Sequence, residues 1–530
     1  MVRTIQATLL VTCLMAAPAH GESDEETAPL SCAPVTEMLS PSEHLRAISL
    51  DVTGDLPTLA SMQEVQALGH VPPEMVTQML DGDDFAWQIV ALHRDLLWPY
   101  LEHSEFYPTG FIQNWSTRIY YRLYGGVHWP EVYGRGGSDV GCRDEPEADP
   151  SNISPIANPD GTVQEGWVCV TPYFKITQDP WLDSDNDCPK GQIKVCAFDA
   201  QEALVSPNNG KPCTSSFLNA DPGCGCGPNL RHCAFHQQFH PHLLASYERA
   251  IHWTLANDRP YHEMFTQAPL FVNGPLVAYY KHFAKDLSFS KATLPALDYQ
   301  EDVDTWIPLP ISPNSSGVLT HVAYRQRFMS NRARMDRFYN AFLCSPFEPP
   351  AAGFGTANDD ALTEPDLQKR PGCKYCHSTI EPAAAYWGHW GEIKPRFLDA
   401  ETYPDFDPIC YECATAGNCT ERCERQYVTS VDVPQAIPFL GYLNAFLFLA
   451  DEDWVNISQG PKLLVERSLL DGRLASCATR NVAVWLLGRE LLPDEESWLE
   501  TLVDVFVASN YDVKELAYAI VTSDFYRRVR

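Results

Sequence analysis

The chain of 530 residues has few basic side chains, since Lys and Arg number 38 against 69 Asp and Glu and the formal net charge is −31. A surface this acidic repels phosphate backbones and anionic lipid headgroups, so we expect no nucleic-acid partner. Long apolar runs are also scarce. The most apolar stretch, residues 437–450, contains Asn444 and is too short to cross a bilayer. It predicts a core helix, and we expect no transmembrane segment in the mature chain.

Several catalytic motifs are missing as well. The sequence contains no Gly-rich phosphate loop, no G-x-S-x-G elbow and no H-E-x-x-H pair. It therefore gives no support to P-loop nucleotide hydrolysis, to α/β-hydrolase chemistry or to a zinc protease.

Cysteine, by contrast, is abundant, with 18 residues in the chain. Such usage is typical of proteins that fold in an oxidising compartment. The first residues agree with this, because a basic start (1–3), a short apolar run (9–17) and small residues near 17–21 predict a signal peptide over residues 1–21. An N-terminal membrane anchor is the alternative. We expect a periplasmic, extracellular or cell-surface protein after cleavage.

The most specific pattern is Cys373-Lys374-Tyr375-Cys376-His377. This C-x-x-C-H motif is the attachment signature of haem c, in which two thiols bond to the porphyrin and the next histidine binds iron from the proximal side. The sequence therefore predicts Cys373 and Cys376 as attachment thiols and His377 as proximal ligand. A local disulfide and another metal, such as zinc, are the alternatives.

The second axial ligand of such a haem is not evident. No methionine follows Met335, so the downstream methionine of a small cytochrome c is absent. His389, His321, Met329 and Met335 are the candidates for the distal position. The choice matters because a filled sixth position favours electron transfer, whereas an open one permits peroxide or oxygen chemistry.

Residues 106–240 form a Cys-rich insertion with weak periodicity, which we expect to be loop-rich and held by disulfides. Within it, Asp183, Asp185 and Asp187 alternate as oxygen donors, which predicts a calcium site or, alternatively, a solvated acidic turn. His232, His236, His240 and His242 cluster before a helix expected near Pro241. They form a metal site or, as the favoured interpretation, surface and capping histidines.

The remaining segments have helical periodicity. An N-terminal helical region (22–105), a second one (241–345) and a C-terminal helical domain (431–530) flank the insertion and the motif. We expect two local disulfides among Cys410, Cys413, Cys419 and Cys423, with a zinc knot as the alternative. If two cysteines hold haem, an odd number remains in the mature chain, and Cys32 and Cys477 are the expected unpaired ones.

Several stretches resemble planctomycete and myxobacterial cytochrome C-like proteins. Residues 45–58 resemble their "RRLSLDLTGLPPT" opening, and 317–321 with 373–382 resemble their "GlLT…CxxCHxxiDP" pattern. Further similar stretches lie at residues 257–263, 271–276, 487–490, 511–516 and 522–525. Glu381 stands where the family has Asp, and residues 383–390 depart from its pattern.

The resemblance implies a cytochrome c-like segment over residues 346–430, followed by the helical domain that usually accompanies it. Together, sequence and resemblance predict a mainly α, multi-domain, exported protein with one covalent haem. The expected role is electron transfer with a redox partner protein. A haem peroxidase-like enzyme and a haem-free, disulfide-rich extracellular binding or structural protein are the alternatives.

Overall fold

The computed structural model describes residues 38–97, 236–282, 284, 287–348, 363–392, 396–430 and 433–528, with short stretches between 146 and 230. Helix predominates in these residues, so the prediction of a mainly α protein is confirmed. The predicted signal peptide, Cys32 and the acidic string Asp183 to Asp187 lie outside the described residues.

Four helices form the N-terminal region: α1 (Pro41–Thr53), α2 (Leu59–Leu68), α3 (Pro73–Leu80) and α4 (Asp83–Leu97). Ser40 begins α1 with a capping box to Glu43, and Gly54 ends it at φ 79°. The periodicity predicts α1, α3 and α4. It misses α2, because Val65 is the one fully buried side chain of that helix.

The insertion contains short antiparallel strands among its described residues: β1 (Ile156–Ala157) with β2 (Val163–Gln164), and β3 (Trp167–Val170) with β4 (Ile193–Cys196). The disulfide Cys169–Cys188 crosslinks this part of the chain. One disulfide-held hairpin of the expected insertion is therefore present.

The central region contains α5 (His236–Ala256), α6 (Glu263–Thr266), the strand pair β5 (Phe271–Val272) and β6 (Ile307–Pro308), α7 (Gly274–His282), α8 (Val322–Arg327) and α9 (Asn331–Leu343). Helix α5 begins before Pro241 and not at it. A proline in the second turn removes one hydrogen bond to the first turn, which this long helix tolerates.

Most of the regular elements in the described part of the C-terminal half are helices. Its helices are α10 (Lys374–Ala384), α11 (Pro408–Ala416), α12 (Glu421–Gln426), α13 (Trp454–Gln459), α14 (Pro461–Leu470), α15 (Arg473–Leu487), α16 (Glu496–Ala508), α17 (Val513–Val521) and α18 (Asp524–Arg527). Helices α13 to α18 cover residues 454–527 of the predicted C-terminal helical domain (431–530).

The core helix predicted over residues 437–450 is wrong. This stretch forms short 3-10 turns, including Pro434–Phe439 and Asn444–Phe446. Gly441 and Phe448 adopt positive φ angles of 79° and 61° and Pro438 lacks an N–H group, so a continuous α-helix is impossible here.

The disulfides correct one expectation and confirm another. Cys477 is not unpaired, because it is bonded to Cys344 and joins α15 to the end of α9. The sequence contains no signal for this pairing, because the two cysteines are 133 residues apart. The four clustered cysteines form two local disulfides, Cys410–Cys423 and Cys413–Cys419, and not a zinc knot.

A large hydrophobic core joins helices from distant parts of the chain. It contains side chains of α1, α4, α5, α9, α10 and α15 to α17. Polar contacts also tie the ends together, since His44 Nε2 lies 2.8 Å from the Val521 carbonyl and Tyr526 donates to Asp51 at 2.5 Å. None of the described helices combines the length and apolarity that crossing a membrane requires.

Candidate functional site

The C-x-x-C-H motif lies at the start of α10. Gly372, at φ 84°, precedes it, and Cys373 occupies the N-cap position, while Cys376 and His377 lie in the first turn. The amides of Cys376 and His377 both donate to the Cys373 carbonyl. Residues three and four apart share a helix face, so the two thiols and the imidazole emerge on one side of α10.

Both thiols are free and partly exposed. The other cysteines whose side chains the structure describes are all in disulfides. The pair in the motif is therefore chemically distinct, because it keeps two accessible sulfurs one helical turn apart in a chain that otherwise pairs its described cysteines.

His377 is fixed by a carboxylate one turn further along α10. Its Nδ1 atom lies 2.5 Å from Glu381 Oε1, and the imidazole is 24% exposed. A carboxylate accepts hydrogen bonds, so Nδ1 carries a proton, and in the neutral ring Nε2 has the lone pair. Nε2 makes no hydrogen bond within the described part of the chain, and it is the atom able to bind a metal.

A second helix holds Glu381 in place. Arg332 of α9 donates from Nε and Nη2 to both carboxylate oxygens at 2.9 to 3.1 Å. The guanidinium fork matches the carboxylate in a bidentate arrangement, which fixes its orientation. The geometry is a chain of contacts from Arg332 through Glu381 to the His377 ring.

Two of the distal-ligand candidates lie in the packed interior. The Nδ1 atom of His321 accepts from the Ala323 amide and its Nε2 lies 3.0 Å from Ser246 Oγ. Burial and the nearby Arg325 lower the pKa of His321 to about 3. Met335 is fully buried in the large core. Either side chain would have to leave a satisfied, packed position to reach a haem at the surface of α10.

The other two candidates are nearer the surface. The Nδ1 atom of His389 is 3.0 Å from the Leu398 carbonyl, and its Nε2 is 3.3 Å from Asp405 Oδ1. Both ring nitrogens are thus engaged. Met329 is half-buried, and its carbonyl accepts from Arg334 at 3.1 Å. The structure brings Cys373, Cys376 and His377 together on α10, whereas the four distal candidates lie outside that helix.

A cleft of about 780 Å³ opens beside Glu381. Its volume is within the range of small-molecule sites. Three arginines and three carboxylates line it among apolar side chains, and Ala384, Ala385 and Gly388 form its wall on the α10 side. Arg332 and Glu381 are among these lining residues, so they connect His377 to the cleft.

Two members of the histidine cluster, His240 and His242, have described side chains, and these two join no metal site among the described residues. His236, His240 and His242 lie within the first two turns of α5, and His232 and the His236 side chain are outside the described residues. His242 Nδ1 accepts from Asn273 Nδ2 at 2.9 Å, and burial lowers its pKa. Across the described residues, no three His, Cys, Asp or Glu side chains converge on a metal position.

Sequence reasoning noted Glu381 only as a departure from the family and missed Arg332. The spacing held a usable signal for Glu381, since a residue four after His377 faces the same side of a helix. Arg332 lies 49 residues from Glu381 and has no comparable signal.

Comparisons with known proteins give no match to any family model, any curated protein or any solved structure.

Proposed function

We propose that the chain is an exported c-type haem protein that transfers electrons to or from a redox partner. Cys373 and Cys376 would attach the porphyrin, and His377 would bind the iron through Nε2. The bound haem would supply a one-electron redox centre. The acidic surface favours a partner with a cationic docking face.

One observation carries this proposal. Two free, accessible thiols precede a histidine whose Nε2 atom makes no hydrogen bond among the described residues, and the other cysteines with described side chains are in disulfides. The disulfides elsewhere support folding in an oxidising compartment, which is where haem c is attached.

A haem peroxidase-like enzyme is the second candidate. The observation that favours it is the placement of His321 and Met335, whose donor atoms are buried in satisfied or packed positions. With the sixth position open, small molecules would reach the iron. Rapid carbon monoxide binding to the reduced protein would favour the enzyme, whereas a low-spin spectrum that carbon monoxide does not change would favour electron transfer.

The test is expression in a bacterium that carries a haem c maturation system, followed by a reduced-minus-oxidised visible spectrum of the purified protein. The account predicts the α and β bands of a covalent haem, which disappear in C373A/C376A. The matched control is C413A/C419A, which removes two other cysteines, a bonded pair, and keeps the bands. Colourless wild-type protein would favour the haem-free binding or structural protein.

A further inference from the structure

The Glu381 carboxylate is shared by two cationic or proton-donating groups from different helices. It accepts from His377 Nδ1 at 2.5 Å and from the Arg332 guanidinium at 2.9 to 3.1 Å. Its side chain is 18% exposed. Such a charge-assisted contact is stronger than one between neutral groups, and partial burial reduces its screening by water.

The arrangement leaves the imidazole little freedom. Helix α10 fixes the spacing between ring and carboxylate, and Arg332 approaches from α9 with two of its donor nitrogens, Nε and Nη2. Rotation of the ring would break the short contact to Glu381. The contact with Glu381 therefore restricts the direction in which Nε2 points.

A carboxylate at Nδ1 also changes the ring electronically. It draws the Nδ1 proton toward itself and gives the imidazole more anionic character, which makes Nε2 a stronger electron donor to a metal. Stronger donation stabilises ferric iron more than ferrous iron. The redox potential of a haem bound at His377 would fall.

We propose that Glu381 is a positioning residue that sets the orientation and donor strength of His377 toward the haem iron, and that Arg332 limits this effect. The inference rests on the proposed haem. The guanidinium withdraws charge from the carboxylate that it contacts, so it opposes the effect of Glu381 on the ring. Glu381 would therefore lower the redox potential of the haem, and Arg332 would raise it.

The experiment is spectroelectrochemical titration of the holoprotein and its variants. Because the amide oxygen of glutamine is uncharged, we expect E381Q to favour the ferrous form at least tenfold at fixed potential, a rise of about 59 mV for a one-electron couple. We expect R332Q to lower the potential. A residue that only stabilised the fold would not move the two potentials in opposite directions.

The matched control is Glu392→Gln. Glu392 lines the same cleft and accepts from the Asn331 amide at 2.7 Å, without a contact to His377. This variant also removes one negative charge near the site. It therefore measures how far the redox potential changes through long-range electrostatics, without a change at His377. We expect it to change the ferric to ferrous ratio less than threefold.

The outcomes separate the two proposals. Wild-type protein without haem overturns both. Coloured protein in which E381Q and E392Q shift the potential equally, or in which E381Q shifts it downward, overturns the positioning role and leaves the haem proposal intact. A larger rise in E381Q than in E392Q, with a fall in R332Q, supports the positioning role.

Discussion

At the residue scale, Arg334 lies beside the cleft and is buried without an ion pair to a carboxylate in the described part of the chain. Arg334 is 0% exposed and donates to the carbonyls of Met329, Trp390 and Gly391 at 2.9 to 3.1 Å. Burial lowers its pKa to about 9. The carbonyl oxygens replace water around the guanidinium and hold residues 390–391 against α9.

We predict that Arg334→Met lowers the free energy of unfolding by more than about 3 kcal/mol, because each buried carbonyl left without a donor costs about 1–3 kcal/mol. Urea denaturation followed by circular dichroism measures this. Arg480→Gln is the control, since its ion pair with Glu496 is at the surface and changes stability by less than about 0.5 kcal/mol. Equal effects of the two substitutions would contradict the role of Arg334.

A buried histidine makes the fold sensitive to acid. His93 is 0% exposed, with Nδ1 at 2.7 Å from the Ile89 carbonyl and Nε2 at 3.0 Å from the Tyr261 hydroxyl. Burial lowers its pKa to about 4. The unfolded chain, with a pKa near 6.5, binds the proton first as pH falls. The stability supplied by the neutral ring is present above about pH 6.5 and is lost progressively toward pH 4.

We predict that His93 accounts for a loss of about 2 kcal/mol between pH 7.5 and pH 5. The variant H93F/Y261F removes both hydrogen-bonding partners and keeps their apolar volume. Its free energy of unfolding should fall less with acid than that of the wild type. Parallel pH profiles for the two proteins would show that His93 is not the group responsible.

At the element scale, the disulfide Cys344–Cys477 fixes α15 against the end of α9. It closes a loop of 133 residues, whereas Cys413–Cys419 closes one of 6. In the chain-entropy account, a crosslink stabilises by restricting the unfolded chain, and longer loops gain more.

We predict that C344A/C477A lowers the free energy of unfolding by roughly 5 kcal/mol and C413A/C419A by roughly 2 kcal/mol. Urea denaturation of both variants at pH 7 provides the comparison. A larger loss from the short loop would mean that local strain or packing, and not chain entropy, sets the contribution of these crosslinks.

Elements with a clear apolar stripe were predictable from the sequence. The stripe of α4 and the proline in the first turn of α1 are examples. Helix α2 was missed because one buried valine gives no stripe. The turns over residues 437–450 were missed because composition shows that a segment is buried, but not that Gly441 and Phe448 adopt positive φ angles.

The candidate site was predictable only where its geometry depends on residues close together in the sequence. The motif supplies its own local geometry, so Cys373, Cys376 and His377 could be placed on one turn of a helix from spacing alone. Arg332, the cleft and the Cys344 partner depend on how α9, α10 and α15 pack. Sequence periodicity predicts which face of a helix is buried, but it does not predict which other helix packs against that face.

At the scale of the whole molecule, the first and last described helices share one core. Side chains from Ile48 in α1 to Tyr526 in α18 belong to the same hydrophobic cluster, and α10 contributes Ala383 and Ala384 to it. The motif therefore lies at the start of a helix, α10, whose C-terminal end is buried in the largest core of the described chain. The domain boundaries drawn along the sequence stay predictions.

The position of the motif, at the exposed end of a helix whose other end is buried, is compatible with the proposed redox centre. The contact with Glu381, one turn further along α10, orients the imidazole, while the exposed first turn leaves both thiols accessible to an attachment machinery. A cofactor held there would lie at the surface of an acidic protein, within reach of a partner. The central claim of the account is that this surface carries a covalent haem.

Mass spectrometry of the peptide that contains Cys373 and Cys376 tests this claim most directly. Protein purified from cells with a haem c maturation system would be denatured, alkylated and digested. The account predicts a peptide that carries haem on both sulfurs and resists alkylation. A peptide with two alkylated thiols, or with the two sulfurs joined as a disulfide, would contradict it.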